Sequence, residues 1–220
     1  LSPDVPAGTR HLRVLLVDDH ALVRESLARV LGEGLGIEVC GQAGSGEDAV
    51  DQALATRPDV VVLDYSMPDM DGLAATTRLT RVVPSTNILV LTVHENVHYV
   101  IRVLEAGALG FVVKTAALEE LVEAIRTVAR GEAYISPSIS SRLAAHMRSG
   151  RAEPGVASLS AREFEVLRLL GSGQSLQDCA RRMHVSDSTA STYRARVMAK
   201  LGLGTTAAII RYAIENDLVE

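Results

Sequence analysis

Five times in the first 131 residues, a short run rich in Val, Leu and Ile is followed by apolar residues at helical spacing, and few folds accept that alternation. The apolar runs lie at residues 12–17, 37–40, 60–63, 88–91 and 111–113. Helical spacing is clearest at Val23, Leu27, Val30 and Leu31, at Val97, Val100, Ile101 and Leu104, and at Leu118, Leu121, Val122 and Ile125. Strands that are apolar along their whole length, rather than at alternate positions, must be covered on both faces. Alternating strands and helices of this kind predict an α/β, flavodoxin-like domain with a five-stranded parallel sheet in the order 2-1-3-4-5.

Residues 158–220 read differently, as four short helices without a strand. Ser160 precedes Glu163 by three residues and opens the first, and Gly171 to Gly173 close it. Ser175, Ser186 and Thr205 or Thr206 open the others, and Gly202 ends the third. The short connection around His184 and Val185 fits a helix-turn-helix, so this half is predicted to be a small all-α domain. The expected division is a disordered lead over 1–10, the α/β domain over 11–131, a linker over 132–157 with room for one short helix at 137–146, and the helical domain over 158–220.

A net charge of −5 argues against nucleic acid until it is resolved along the 220-residue chain. Residues 11–131 carry 10 Lys/Arg against 17 Asp/Glu, whereas 158–220 carry 8 against 7, and 181–200 hold five basic residues with Asp187 alone opposing them. Positive charge is therefore local to residues 181–200, as a docking face requires. No apolar run approaches the roughly 18 residues of a membrane span, and no basic-then-apolar leader opens the chain. A cytoplasmic protein without a membrane partner is expected. The two cysteines, Cys40 and Cys179, fall in different domains and are expected to be unpaired. Gly41, Gly44 and Gly46 are expected as turn glycines in a loop after strand 2, since a dinucleotide fingerprint belongs after strand 1. His94 and His98 read as surface helix residues.

In the predicted sheet order, ligands gather beyond the carboxyl ends of strands 1 and 3. Strand 1 ends in Asp18 and Asp19, strand 3 in Asp64, strand 4 in Thr92 and strand 5 in Lys114, so all five polar groups share one rim. Three clustered carboxylates call for a cation, and oxygen ligands with room for water favour Mg2+. A carboxylate in such a site is also a nucleophile for phosphorus, with a lysine and a hydroxyl to meet the charge of the transferred group. Taken singly, Asp19 reads equally well as a helix cap and Asp64 as a turn acid. Neither role explains why Thr92 and Lys114 stand at the matching strand ends.

Residues 11–131 resemble the receiver domain of two-component response regulators, through Val17-Asp18-Asp19-His20, Leu63-Asp64-Tyr65-Ser66-Met67-Pro68-Asp69-Met70-Asp71-Gly72, Leu91-Thr92 and Gly110-Phe111-Val112-Val113-Lys114. The resemblance implies that Asp64 is the phosphoacceptor, with Asp19 holding Mg2+ directly, Asp18 through water, and the Ser66 carbonyl as a further ligand. It implies that Thr92 and Phe111 form a switch pair, although Phe111 alone reads equally well as a core aromatic. The C-terminal half resembles LuxR/NarL-type DNA-binding domains, through Leu159-Ser160-Ala161-Arg162-Glu163, Val185-Ser186, Thr189 and Lys200-Leu201-Gly202. It departs from them at Ser188 and Ser191, where lysines are frequent, and at Leu176-Gln177.

By that resemblance the third helix enters the major groove of promoter DNA. Ser191, Thr192 and Ala195 face bases, and Ser188, Arg194, Arg196 and Lys200 face phosphates. Apolar surface on the last helix, at Ile209, Ile210 and Ile214, suits a homodimer formed on phosphorylation or, equally, a core. The implied protein is a regulator phosphorylated by a histidine kinase, whose only catalysis is its own phosphoryl transfer and dephosphorylation. One competing reading is a DNA regulator that ignores phosphorylation and uses the receiver for interactions. Another, a phosphohydrolase, is disfavoured because Ser66 stands where a second aspartate would act as general acid.

Overall fold

A computed structural model of the chain describes residues 11–33, 35–67, 70, 72–93, 97–148, 156, 158–216, 218 and 219. The lead expected over 1–10, the linker positions 149–155 and 157, and Pro68, Asp69, Asp71 and His94 lie outside the described residues. The chain divides into two compact units, with the main division between residues 140 and 141.

The first unit is a parallel sheet of six strands: β1 (Leu12–Val17), β2 (Ile37–Ala43), β3 (Val60–Asp64), β4 (Asn87–Thr92), β5 (Gly110–Val113) and β6 (Tyr134–Ile135), in the order β2-β1-β3-β4-β5-β6. The connections carry α1 (Ala21–Gly32), α2 (Gly46–Thr56), α3 (Gly72–Val82), α4 (Val97–Glu105) and α5 (Leu118–Ala129). Alternation along the strands feeds two cores. Val14, Leu16, Val60, Val62, Leu89, Leu91 and Val112 pack with Leu121, Ile125 and Val128 of α5 and Leu31 of α1. Leu15, Val17, Val61, Leu63, Val90 and Phe111, on the other face, are equally buried. The central strands are therefore dry on both sides, as their unbroken apolar runs require.

Two sequence expectations need correction. The sheet has a sixth strand: residues expected to open the linker pair instead with β5, Gly110 against Tyr134 and Phe111 against Ile135. Two residues are too short for any periodic signal, so this strand exists only because β5 presents an edge to it. The second correction concerns the glycine loop, because Gly41 lies inside β2 opposite Leu15 and Gly46 is the first residue of α2. After β6 the chain forms α6 (Pro137–Arg148) where one short helix was expected.

The second unit is helical: α7 (Ala161–Gly171), α8 (Leu176–Arg182), α9 (Asp187–Leu201) and α10 (Thr206–Glu215). The starts at Ser160, Ser175 and Ser186 are those expected, and Thr205 rather than Thr206 sets the fourth. Ser160, Ser175, Ser186 and Thr205 accept hydrogen bonds from the backbone N–H three residues on, and the first two complete capping boxes with Glu163 and Asp178. Gly202, at φ 66°, ends α9 in the left-handed conformation that side chains resist. Phe164, Leu167, Met183, Ala190, Val197, Ile209 and Ala213 fill the core. Cys40 and Cys179 are unpaired, and burial pushes the Cys179 thiol up to about 11, as suits a small apolar core residue. Among the described residues no single helix is long and apolar enough to cross a membrane.

Gly72 is the tightest point of the connection that leaves β3. A Cβ there would lie 2.7 Å from Tyr65 Cα, which is backbone and has nowhere to retreat. Gly72→Ala is expected to destabilise the first unit by about 1–3 kcal/mol, measured by urea denaturation.

Candidate functional site

The strand register dictates which side chains meet. Val17 pairs with Leu63, Asp64 with Leu91 and Thr92 with Val113, so Asp18 and Asp64 leave the sheet side by side on the carboxyl rim, with Thr92 one residue and Lys114 two residues further out. Lys114 Nζ lies 2.7 Å from Asp18 Oδ2 and 2.9 Å from Asp64 Oδ2, which ties the ends of three strands together. Both carboxylates are almost wholly buried. Burial pushes the Asp18 carboxyl up, but the Lys114 ammonium and the His20 N–H, which donates to Oδ1 at 2.8 Å, outweigh it and hold it below the ordinary value. Burial likewise pulls Lys114 down, and the two aspartates more than compensate, so its ammonium is held charged.

Asp19 is half-buried at the mouth and does not cap α1, whose N-cap is His20 with no side-chain cap bond. The capping reading of Asp19 therefore fails. His20 Nδ1 stands 3.0 Å from Asp19 Oδ1 and 3.1 Å from Asp18 Oδ1. Ligand atoms of Asp18, Asp19, His20 and Asp64 all fall within 4.8 Å of one another. Two of the acidic oxygens, Asp19 Oδ1 and Asp64 Oδ2, are buried and have as neighbours only His20 Nδ1 at 3.0 Å and the Lys114 ammonium at 2.9 Å, respectively, among the described residues. Three carboxylates against one ammonium leave about two negative charges close together at the rim. A divalent cation bound through oxygen is the group such a donor set fits. Ser66 takes part through its backbone, its N–H donating to Asp64 Oδ1 at 3.2 Å.

Thr92 and Phe111 are both fully buried, Thr92 at the end of β4 and Phe111 within β5. A feature that sequence reasoning missed adjoins them. Ser136, at the end of β6, donates its N–H to the Phe111 carbonyl, accepts from Val113 N–H at 3.4 Å, and donates its hydroxyl to Glu120 of α5 at 2.5 Å. Only the serine-rich composition after Pro137 hinted at polar bonding here. His98 is half-buried on α4.

In the second unit, α9 presents Ser188, Thr192, Ala195 and Arg196 to solvent, with Ser191 and Arg194 half-buried at the margin. Ala190 and Val197 face the core. Thr192 returns its hydroxyl to the Ser188 carbonyl, so it is locally satisfied. Lys200 is engaged internally: its ammonium donates to the Ser158 carbonyl at 2.9 Å and to Glu163 Oε2 at 2.6 Å. The expected apolar stripe of the last helix is corrected at Ile209, which is completely buried in the unit's core and offers nothing to a partner. Its neighbour Ile210 is half-buried, and Ile214 is 58% exposed.

Glu163 is buried, and burial pushes its carboxyl up, yet Lys200 and the Ser160 N–H hold it below the ordinary value. A depressed carboxyl contributes stability above its unfolded value of about 4.3 and loses it as pH falls through the folded value. The stability advantage of the native protein over Glu163→Gln is expected to be full at neutral pH and to decline below about pH 4.3, followed as the thermal midpoint of the helical unit.

The chain matches two family models: response regulator receiver domain over residues 14–126, and bacterial regulatory proteins of the luxR family over residues 157–213. It is 37% identical over 210 residues to response regulator GacA of Pseudomonas aeruginosa, covering 95% of this chain and 98% of that protein. Response regulator UvrY of Escherichia coli is 37% identical over 208 residues, covering 94% and 95%. Among solved structures, RcsB from Salmonella enterica serovar Typhimurium, bound to promoter rprA in the presence of phosphomimetic BeF3-, is similar with a TM-score of 0.70 at 27% identity, over 92% of this chain and 98% of that one.

Proposed function

The chain belongs to the response regulators that join a receiver domain to a LuxR-type regulatory domain, and from that premise we propose that it is a phosphorylation-dependent transcription regulator whose Asp64 accepts a phosphoryl group from a histidine kinase. The receiver occupies 11–135 with β6 included, and the residues from 136 to 157, α6 among them, connect it to a DNA-binding domain over 158–220. The observation that carries this reading is the buried Asp18–Lys114–Asp64 bridge at the rim of the sheet.

The Asp64 carboxylate attacks phosphorus as the phosphorus–nitrogen bond of the kinase phosphohistidine breaks; the electron pair leaves with the imidazole and an acyl phosphate remains on Asp64. Lys114, held charged by its two carboxylates, meets the negative charge carried by the transferred group. The Thr92 hydroxyl donates to a phosphoryl oxygen from the next strand. Asp18, Asp19, Asp64 and the Ser66 carbonyl would hold Mg2+, which when bound supplies charge neutralisation for the phosphoryl oxygens.

Thr92 and Phe111 then act as the switch pair. A shift of Thr92 towards the phosphoryl group disturbs Phe111 behind it, and the Phe111 carbonyl is bonded to Ser136 just before α6. Phosphorylation thereby biases a two-state element at the exit of the receiver. On the output side, Ser191, Thr192 and Ala195 contact bases, while Ser188, Arg194 and Arg196 contact phosphates. Lys200 joins them only by leaving Glu163. The phosphorylated form dimerises, with Ile210 and Ile214 as candidate contacts on α10. Support comes from RcsB, which is similar over nearly the whole chain and was solved on a promoter with a phosphomimetic.

In the test, the protein is incubated with acetyl phosphate and Mg2+, and then with beryllofluoride and a random duplex DNA library. Label is expected on the native chain and absent from Asp64→Asn, and beryllofluoride is expected to raise duplex enrichment about tenfold or more in the native chain alone. Equal enrichment with and without beryllofluoride would leave the receiver as an interaction module that does not switch DNA binding.

A further inference from the structure

We propose that the hydrogen bond between Ser136 and Glu120 of α5 is the coupling device through which a change in β5 reaches α6, the helix that leads out of the α/β unit. This rests on the reading that phosphorylation of Asp64 controls DNA binding, and it names the side chains that pass the change on.

Ser136 stands immediately before α6, and its carbonyl accepts from the Ile139 and Ser140 N–H groups at 3.0 and 2.9 Å, as a residue opening a helix should. A serine in that place ordinarily gives its hydroxyl oxygen to the free N–H groups of the first turn. Here the hydroxyl is committed to the α/β unit instead. It donates to Glu120 Oε1 at 2.5 Å, in the range of a bond to a carboxylate, and accepts from Val113 N–H at 3.4 Å. The Ser136 N–H donates to the Phe111 carbonyl at 3.0 Å. One residue, 1% exposed, is thus fastened to β5 at two points and to α5 at a third.

The first turn of α6 is fastened with it. Ile139 is fully buried, and the Ser140 hydroxyl donates to the Ile135 carbonyl of β6 at 3.1 Å. The division between the two compact units falls after Ser140, inside α6, and the helix continues to Arg148. Packed side chains, hydrogen bonds and continuous helices are the material through which coupling travels. At its other end, β5 runs through Phe111 and Val113 into Lys114, whose ammonium bridges Asp18 and Asp64. A change of charge at Asp64 therefore acts on the strand to which Ser136 is tied. Glu120 is the half-buried member of the set and the one that holds the serine hydroxyl away from α6. Without it the hydroxyl turns back to cap the helix, and the first turn loses its hold on α5.

The test uses the full chain, the random duplex DNA library, and beryllofluoride with Mg2+. Glu120→Ala removes the acceptor and leaves the buried serine in place, Ser136→Ala removes the donor, and Glu120→Gln keeps an oxygen that accepts the same bond. Labelling by acetyl phosphate is expected to match the native chain in all three. The rise in duplex enrichment of about tenfold is expected to fall below about twofold in Glu120→Ala and Ser136→Ala, with enrichment in the absence of beryllofluoride unchanged, and to survive in Glu120→Gln. Should Ser136→Ala fail to fold, Glu120→Ala decides alone. A rise of native size in Glu120→Ala overturns the coupling. So does enrichment that is already high without beryllofluoride, since the bond would then be a lock and not a coupler, and so does loss of label, since it would then support the phosphorylation site. A native chain that takes label without any change in enrichment overturns the switching role of Asp64 and this inference with it.

Discussion

Lys114 is the residue on which the receiver site depends, because it lets two acidic groups be buried side by side. Asp18 and Asp64 stand on neighbouring strands with their oxygens turned the same way, an arrangement that repulsion would open if no cation lay between them. A buried charge is tolerable only when paired, and here one ammonium serves both anions while closing β5 onto β1 and β3. The pairing is incomplete in charge. What remains is an anionic recess whose donor set fits a divalent ion.

A parallel sheet is what makes such a recess easy to form. All strands end on the same side, so residues one step past each strand converge without any long-range loop having to reach them. Register then sets the depth: with Asp64 opposite Leu91 and Thr92 opposite Val113, the Thr92 hydroxyl starts one residue and Lys114 two residues beyond the Asp64 carboxylate, and the long lysine side chain reaches back to it. The same register brings Phe111 beside β6, where Ser136 bonds to its carbonyl and to Val113 N–H. The strand that carries Phe111 is therefore hydrogen-bonded to the segment by which the chain leaves the sheet.

The helical unit is held together differently. Its helices begin where short polar side chains cap them, and an ion pair between the exposed Lys200 and the buried Glu163 joins the third helix to the start of the first. Glu163 thereby serves both as the reciprocal half of a capping box and as the anchor of a basic residue. That second role turns the Lys200 ammonium towards Glu163, although the side chain stays exposed.

Much of this was legible in the sequence, for identifiable reasons. Strand and helix alternation, the caps at Ser160, Ser175 and Ser186, and the rim residues Asp18, Asp19, Asp64, Thr92 and Lys114 are all signals carried by a few adjacent positions, where local chemistry and periodicity speak directly. The sequence by itself determined the two kinds of unit and the acidic constellation between strand ends. Only tertiary structure decided the sixth strand, since a two-residue segment becomes a strand through its neighbour and not through its own propensity. Only packing could distinguish the buried Ile209 from the exposed Ile214, whose side chains are chemically alike. The orientation of His20 towards the acids, the Lys200–Glu163 pair and the three bonds of Ser136 likewise join residues that sequence order leaves ambiguous or far apart. Such contacts depend on where side chains point once the backbone has closed around them.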